Sequence, residues 1–168
     1  MFKKITSIAL CLVLALTVFT ACGNKPADTS SSTAAPVETQ LTGTLEEIMT
    51  KIYDGVKSEL PKTMNTPITA ENSMYFVGLE NLDNVEEALA SEAMINAVAH
   101  SVCLIKVKDG ADIEAIKTQI KENVDPRKWI CVGVSDENVR VENIGNTILL
   151  VMDEEASQEF VDSFLALK

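Results

Sequence analysis

The chain has 168 residues, of which 46% are hydrophobic and 23% are charged, and this balance is typical of a globular protein. Asp and Glu outnumber Lys and Arg by 25 to 14, and a chain with a pI near 4.5 lacks the basic face that nucleic acid requires. The chain has one His and four Cys, and no two of these Cys form a C-x-x-C pair. Because it has so few residues that bind metal or haem, we expect no metal and no cofactor.

Residues 1–21 have the pattern of a secretory signal peptide. The start carries two lysines, and residues 5–20 form an uncharged, mostly apolar run. A small residue, Ala21, then precedes Cys22. The run is shorter than the roughly 20 apolar residues that a spanning helix needs. A cleaved signal is therefore favoured over the alternative, an uncleaved membrane anchor.

The segment Val18-Phe19-Thr20-Ala21-Cys22 resembles the lipobox of bacterial lipoproteins. In that family the Cys thiol is joined to diacylglycerol, and cleavage leaves this Cys at the new N-terminus. Leu is usual three residues before the Cys, where this chain has Phe. The resemblance implies that Cys22 is the lipidated residue and that lipid anchors the protein to the cell membrane.

Residues 22–43 are predicted to comprise the lipidated Cys and a flexible tether. The stretch is rich in Ser, Thr, Ala and Pro, and it has too few large apolar side chains to offset its ordering entropy. A flexible coil of this length spans about 25 Å. Both the lipoprotein interpretation and the anchor alternative place the following domain outside the cytoplasm.

Residues 44–168 read as a single domain. A capping box at Thr44 begins a helix with apolar residues at helical spacing, and Pro61 ends it. Residues 61–72 then read as a loop, because they carry Pro, Asn and Thr. The apolar residues 74–79 read as a short strand.

The rest of the domain alternates between helical and strand patterns. In order, we predict a helix from residue 83 into the 90s, a strand at 102–108, a helix at 113–124, strands at 129–134, 138–142 and 147–152, and a helix from 153 to 168. The strand at 147–152 is apolar on both faces and is placed centrally in the sheet. The order predicts an α+β fold of two layers, with a small, largely antiparallel sheet and helices on one face.

Three short sequence segments extend the resemblance beyond the lipobox. They are HSV at residues 100–102, KDGAD at residues 108–112 and NVDPRKWI at residues 123–130. With the lipobox and the tether, they make the chain similar to a family of small lipoproteins of clostridial-type Gram-positive bacteria, over most of residues 75–167. The function of that family is not established. The resemblance implies a location and an architecture, and it supplies no catalytic residues.

His100 and two cysteines are the residues of this chain that we consider as catalytic candidates. His100 lies where a predicted helix ends and a strand begins, and we favour a role in bonding terminal carbonyls over catalysis. Cys103 and Cys131 lie in predicted strands, and a disulfide is permitted outside the cytoplasm. We favour two buried free thiols. A disulfide and, less favoured, a catalytic thiol are the alternatives.

Arg127, Lys128 and Trp129 form the one local candidate for a binding feature. Two cations stand beside the only Trp of an acidic chain, and Trp and Arg are favoured at binding hot spots. The alternative, which we favour, is that Trp129 packs in the core while both cations cap the preceding helix. Paired acids fall in the first turns of predicted helices, which favours a helix-end role over a glycosidase site. No loop has the spacing of calcium ligands.

The sequence carries no catalytic signature, because it has no phosphate loop, no nucleophile elbow and no redox cysteine pair. We therefore expect no catalytic residues and no enzyme activity. We expect an extracytoplasmic lipoprotein that acts as a binding or adaptor module, with the membrane and an envelope protein as partners and no nucleic acid. The alternatives are a small-ligand carrier and, less favoured, an envelope enzyme with a site around His100 and Cys131.

Overall fold

The structure is a computed structural model that describes residues 40–168. Its α-helices and strands are, in chain order, α1 (Leu45–Gly55), β1 (Thr63–Pro67), α2 (Ser73–Val77), β2 (Val85–Ala93), β3 (His100–Val107), α3 (Ile113–Asn123), β4 (Val139–Ile144), β5 (Thr147–Asp153) and α4 (Ser157–Leu165), and a short 3-10 helix (Asp136–Asn138) precedes β4. The predicted signal peptide, the predicted lipidation site Cys22 and most of the predicted tether lie outside the described residues. Within 40–168, no helix combines the length and apolarity needed to cross a bilayer.

The five strands form one antiparallel sheet in the order β1-β2-β3-β5-β4. The prediction of an α+β fold with a small antiparallel sheet is confirmed. β5 lies between β3 and β4, and all its residues are buried, as its apolar sequence predicts. β3, β4, α3 and α4 also occupy their predicted positions, to within a few residues.

The helices cover both faces of the sheet, whereas the sequence predicted helices on one face only. α1 and α4 pack on the face that includes Leu104, and α2 and α3 pack on the face that includes Ile105. The reason lies in β3 and β5, whose apolar side chains point in both directions and are buried on both sides. Two hydrophobic cores result, one on each face.

α1 begins where the capping box predicts. The Thr44 side chain accepts a hydrogen bond from the backbone N–H of Glu47, and the Glu47 carboxylate accepts one from the backbone N–H of Thr44, each at 3.2 Å. The helix ends at Gly55, short of Pro61. The predicted loop that follows contains the edge strand β1, which closes on Pro67, a residue tolerated at a sheet edge.

Three segments differ in type from the prediction. Residues 85–93 form β2 and not a helix, since pairing with β1 and β3 on both sides overrides the helical preference of their Glu and Ala residues. Residues 74–79 lie mostly in α2, which Gly78 ends at a φ of +66°. Residues 129–134 pair with no strand. They form a loop in which Trp129 is buried and Cys131 has a positive φ.

Candidate functional site

His100, the only imidazole of the chain, is completely buried at the start of β3. Its Nδ1 lies 2.6 Å from Asp153 Oδ2, and its Nε2 lies 2.8 Å from the hydroxyl of Tyr53. With the proton on Nδ1, the ring donates to Asp153, and Nε2 accepts the O–H of Tyr53. His100 therefore joins α1 to the end of β5 and does not bond terminal carbonyls.

The electrostatics of this group fit a structural role better than a catalytic one. Burial raises the pKa of Asp153, but hydrogen bonds from His100 and from the backbone of Ala156 and Glu155 outweigh that effect and hold its pKa below the ordinary value. Burial raises the pKa of Tyr53 to about 12, so the phenol stays protonated at neutral pH. Both ring nitrogens of His100 already have partners, and neither faces a free nucleophile.

The two cysteines are free thiols in different environments. Cys103 is buried, and burial raises its pKa to about 11, which leaves little thiolate at neutral pH. Cys131 is exposed at a φ of +63°. The prediction of free thiols is confirmed. The predicted burial of Cys131 is wrong, because residues 129–134 form no strand. His100 bonds other residues, so the two groups of the enzyme alternative are not joined.

Lys128 and Trp129 belong to the interior. The Lys128 side chain is 3% exposed, and its ammonium lies 2.5 Å from the Glu92 carboxylate as an ion pair without the alignment of an ordinary hydrogen bond. It also lies 4.5 Å from the ring centroid of Tyr75 and 5.2 Å from those of Phe76 and Trp129. Trp129 packs in the core as favoured, whereas Lys128 does not cap α3.

Arg127 is the exposed member of this candidate group. Its backbone N–H donates to the Asp125 carboxylate at 2.8 Å, which fixes the turn after α3. The three residues that sequence reasoning grouped as a binding candidate therefore do not share a surface. Lys128 and Trp129 hold the loop of residues 125–134 against the sheet, and Arg127 contributes only the local turn.

The most distinctive surface is an exposed apolar group at the β2–β3 end of the sheet, which we call the apolar tip. It consists of Met94, Ile95, Val98, Ile130 and Val132, which are exposed by 63%, 65%, 37%, 66% and 37%. The first three lie in the β2–β3 turn, and the last two lie in the loop after Trp129. The two segments are joined by a hydrogen bond from the Ile130 N–H to the Asn96 carbonyl, at 3.2 Å.

Two cavities open beside the apolar tip, and Pro61 and Val98 line both of them. One has a volume of about 420 Å³ and is lined by Pro61, Lys62, Ala93, Met94, Ile95 and Val98. The other has a volume of about 320 Å³ and also includes Val132 and four carboxylate residues, namely Glu59, Asp153, Glu154 and Glu155. The first cavity suits an apolar side chain of a partner. The four carboxylate residues of the second cavity form a group that we call the acidic rim.

The acidic rim is not arranged as a metal centre. In the part of the chain that the structure describes, no group of three or more His, Cys, Asp or Glu is placed to hold a metal ion. The Glu154 carboxylate is instead used within the fold, where it accepts from the backbone N–H and the hydroxyl of Ser135 at 2.8 and 3.0 Å. These hydrogen bonds hold the pKa of Glu154 below its ordinary value, so it is ionised at neutral pH.

Sequence reasoning did not find the apolar tip. Its two halves lay in segments predicted as a helix and as a strand, where apolar residues are expected to face a core. A signal was present, since on a continuing helix Met94 and Val98 would lie on the face opposite Val85, Ala88 and Leu89. Large apolar residues on both faces of a predicted surface helix are a reason to expect a different structure or an exposed binding surface.

The comparisons with known proteins leave the site to be interpreted from its own geometry. No protein-family model matches the chain, and no curated protein or solved structure matches it. The resemblance to small lipoproteins of clostridial-type bacteria therefore stays a prediction.

Proposed function

We propose that the protein is a membrane-tethered extracytoplasmic lipoprotein that acts as a non-catalytic binding or adaptor module. The lipid on Cys22 holds the chain at the cell membrane, and residues 22–43 give the domain its reach. The domain then binds an envelope protein through the apolar tip. The observation that carries this proposal is the tip itself, five large apolar side chains exposed together on an acidic domain.

The apolar tip supports binding because of its arrangement. Single exposed apolar residues are ordinary, but contiguous apolar surface with a polar rim is typical of interaction sites. The tip is also held in place by backbone hydrogen bonds. The Met94 N–H donates to the Lys62 carbonyl at 2.9 Å, and the Val98 N–H donates to the Ile95 carbonyl at 3.1 Å. A surface that is already ordered loses less entropy when it binds.

The test is site-specific crosslinking on intact Gram-positive cells, with a photoreactive residue in place of Asn96 in the full chain. We expect one stoichiometric adduct, which disappears in an Ile95→Ser, Ile130→Ser double variant. Met64→Ser is the matched control, because Met64 is 60% exposed but lies outside the tip. An adduct that persists in the double variant, or none in the wild type, contradicts the proposal.

A small-ligand carrier is the second candidate, favoured by a polar cavity on another side of the domain. This cavity has a volume of about 450 Å³, and the residues that line it include Tyr53, Asp54, Thr63, Asn65 and Ser91. Its hydroxyl and amide groups suit a small polar ligand. Saturation-transfer NMR of the full chain with a set of monosaccharides tests it. A signal that Ser91→Ala abolishes supports a carrier, and no signal from any sugar contradicts this form of it.

A further inference from the structure

We propose that the apolar tip takes a protein segment in which large apolar side chains are flanked by Lys or Arg, and that this segment docks at the end of the domain opposite the point where the chain enters it. This inference rests on the proposed function, because it names the chemistry of the partner. Three features of the described residues carry it: the position of the tip, the charge around it and the shape of its cavity.

The tip and the start of the described chain lie at opposite ends of the sheet. Gln40 is held at the β4–β5 turn, where its side-chain carbonyl accepts a hydrogen bond from the Asn146 N–H at 3.1 Å. β3 pairs with Thr147 at its far end and with Asp153 at its tip end. β3 is 8 residues long, or about 26 Å at the rise of a strand. Gln40, the first described residue, therefore lies about one strand length from the tip.

The charge around the tip favours a basic partner. Glu59, Glu154 and Glu155 line the adjoining cavity. The basic residues near the tip are Lys62, which lines the other cavity, and the exposed Arg127 in the loop that carries Ile130 and Val132, so carboxylates outnumber them. The whole chain carries a formal charge of −11. Lys or Arg beside the apolar contact therefore meets carboxylates, which guides association and fixes the orientation of the partner.

The same charge argues against the two other occupants of an apolar surface. A bacterial membrane surface is anionic, so it repels this acidic rim. A second copy of the domain brings an identical acidic rim to the contact, and like charges across an interface cost free energy. A basic segment of another protein has neither disadvantage.

The cavity of about 420 Å³ determines which apolar side chain of the partner the tip can bind. Pro61, Ala93, Met94, Ile95 and Val98 surround it almost entirely with carbon, and Lys62 is the only charged residue in its wall. Such a pocket takes an aliphatic or aromatic anchor side chain, the kind of residue that contributes most to protein interfaces. The partner segment thus presents an apolar anchor to this cavity and its cations to the carboxylates beyond Val98.

The experiment measures the binding of two synthetic peptides to the full chain in phosphatidylcholine nanodiscs. One is a short amphipathic peptide of Leu and Lys, and the other has Glu at each Lys position. We expect the Lys peptide to bind at least about tenfold more tightly in fluorescence anisotropy. The Ile95→Ser, Ile130→Ser variant removes most of this binding.

Two matched double variants distinguish the effect of the carboxylates beside the tip from the effect of the net charge of the chain. Glu59→Gln with Glu155→Gln removes two exposed carboxylates beside the tip, and Glu122→Gln with Glu142→Gln removes two exposed carboxylates elsewhere. We expect the first pair to weaken the Lys peptide severalfold at low salt and the second pair to have little effect. Equal effects from both pairs overturn the proposed partner chemistry.

The remaining outcomes distinguish this inference from the function on which it rests. A preference for the Glu peptide, abolished by the tip variant, overturns the basic partner but keeps a binding module. Tip-dependent binding to phosphatidylglycerol vesicles, or tip-dependent self-association in sedimentation, replaces the protein segment with a bilayer or a second copy. No binding of peptides or vesicles and no self-association overturns both proposals.

Discussion

The Lys128 side chain fastens the loop after α3 to the sheet. Its ammonium is enclosed by Glu92 and by three aromatic rings, so almost no water reaches it. Replacing it by Met leaves the Glu92 carboxylate without its counter-ion in a place that is mostly buried. We expect Lys128→Met to lower the free energy of unfolding by about 3 kcal/mol, as measured by urea denaturation of the full chain.

Two further variants test whether the ion pair is the cause. Lys121→Met removes an exposed lysine of α3, and we expect a change within about 0.5 kcal/mol. In the Lys128→Met, Glu92→Gln double variant, the loss should be smaller than the sum of the two single losses, because no uncompensated charge remains. Additive losses would assign the effect of Lys128 to packing with the aromatic rings instead.

Asp153 makes the stability of the domain depend on pH. Its pKa is lowered in the folded state, so it contributes stability in full above its unfolded pKa near 3.9 and loses it as the pH falls towards the folded value. Asp153→Asn weakens the hydrogen bonds from His100 and from the backbone, and we expect a loss of about 2 kcal/mol at pH 7. The difference between wild type and variant should shrink below about pH 4.

Urea denaturation at pH 7, 5 and 3 measures this difference. Glu122→Gln is the control, since it removes an exposed carboxylate that makes no hydrogen bond or ion pair described for the fold. Its difference from the wild type should stay close to zero at all three values. A gap between Asp153→Asn and the wild type that stays constant from pH 7 to pH 3 would show that Asp153 contributes nothing through its ionisation.

At the scale of the elements, α1 and α4 approach each other through two small residues. The hydroxyl of Ser163 donates to the Ile52 carbonyl at 2.7 Å, which fixes it beside Gly55. A Cβ at Gly55 would lie 2.1 Å from this hydroxyl oxygen. Ala normally favours a helix over Gly by about 1 kcal/mol. Here we expect Gly55→Ala to destabilise the domain by about 1 to 3 kcal/mol, because overpacking outweighs that preference.

The control for this contact is the same substitution in a Ser163→Ala background. Removal of the hydroxyl relieves the closest approach, although the Ser163 Cβ is still 2.8 Å from the added atom. In the Ser163→Ala background, Gly55→Ala should therefore lower the stability of the domain by a smaller amount that is still above zero. Thermal unfolding of the wild type, the two single variants and the double variant measures this difference. A gain of stability from Gly55→Ala in the wild-type background would contradict the close packing of α1 and α4.

The elements that sequence could predict are those whose causes are local or strongly periodic. The capping box of Thr44 and Glu47 acts within one turn, and β5 is apolar along its whole length. β2 could not be predicted, because its Glu and Ala residues favour a helix and only the neighbouring strands make it extended. Its misassignment also hid the turn that carries Met94 and Ile95.

The candidate site could be predicted only in part, because its groups are distant in sequence. His100 meets Tyr53 across 47 positions and Asp153 across 53, and no pattern near His100 announces either partner. The burial of Trp129 could be predicted from its size and apolarity. The inward turn of Lys128 could not, since it depends on a carboxylate of β2 that the sequence assigned to a helix.

At the scale of the whole molecule, helices cover both faces of the sheet, and its two ends carry different features. The β4–β5 end holds Gln40, and the β2–β3 end carries the apolar tip. The folded domain thus separates its connection to the rest of the chain from its proposed binding surface. Anchoring and binding should therefore be separable by mutation.

The last prediction concerns that separation and tests the proposed lipid anchor directly. In a Gram-positive host, we expect Cys22→Ala to move the protein from the membrane fraction to the medium or to leave it as unprocessed precursor. The reason is that a thiol is required for attachment of the lipid. The Ile95→Ser, Ile130→Ser variant keeps Cys22 and should stay with the membrane while losing its crosslinked partner. Cell fractionation followed by immunoblotting measures both. Processed Cys22→Ala protein that stays in the membrane fraction would show that another segment anchors the chain.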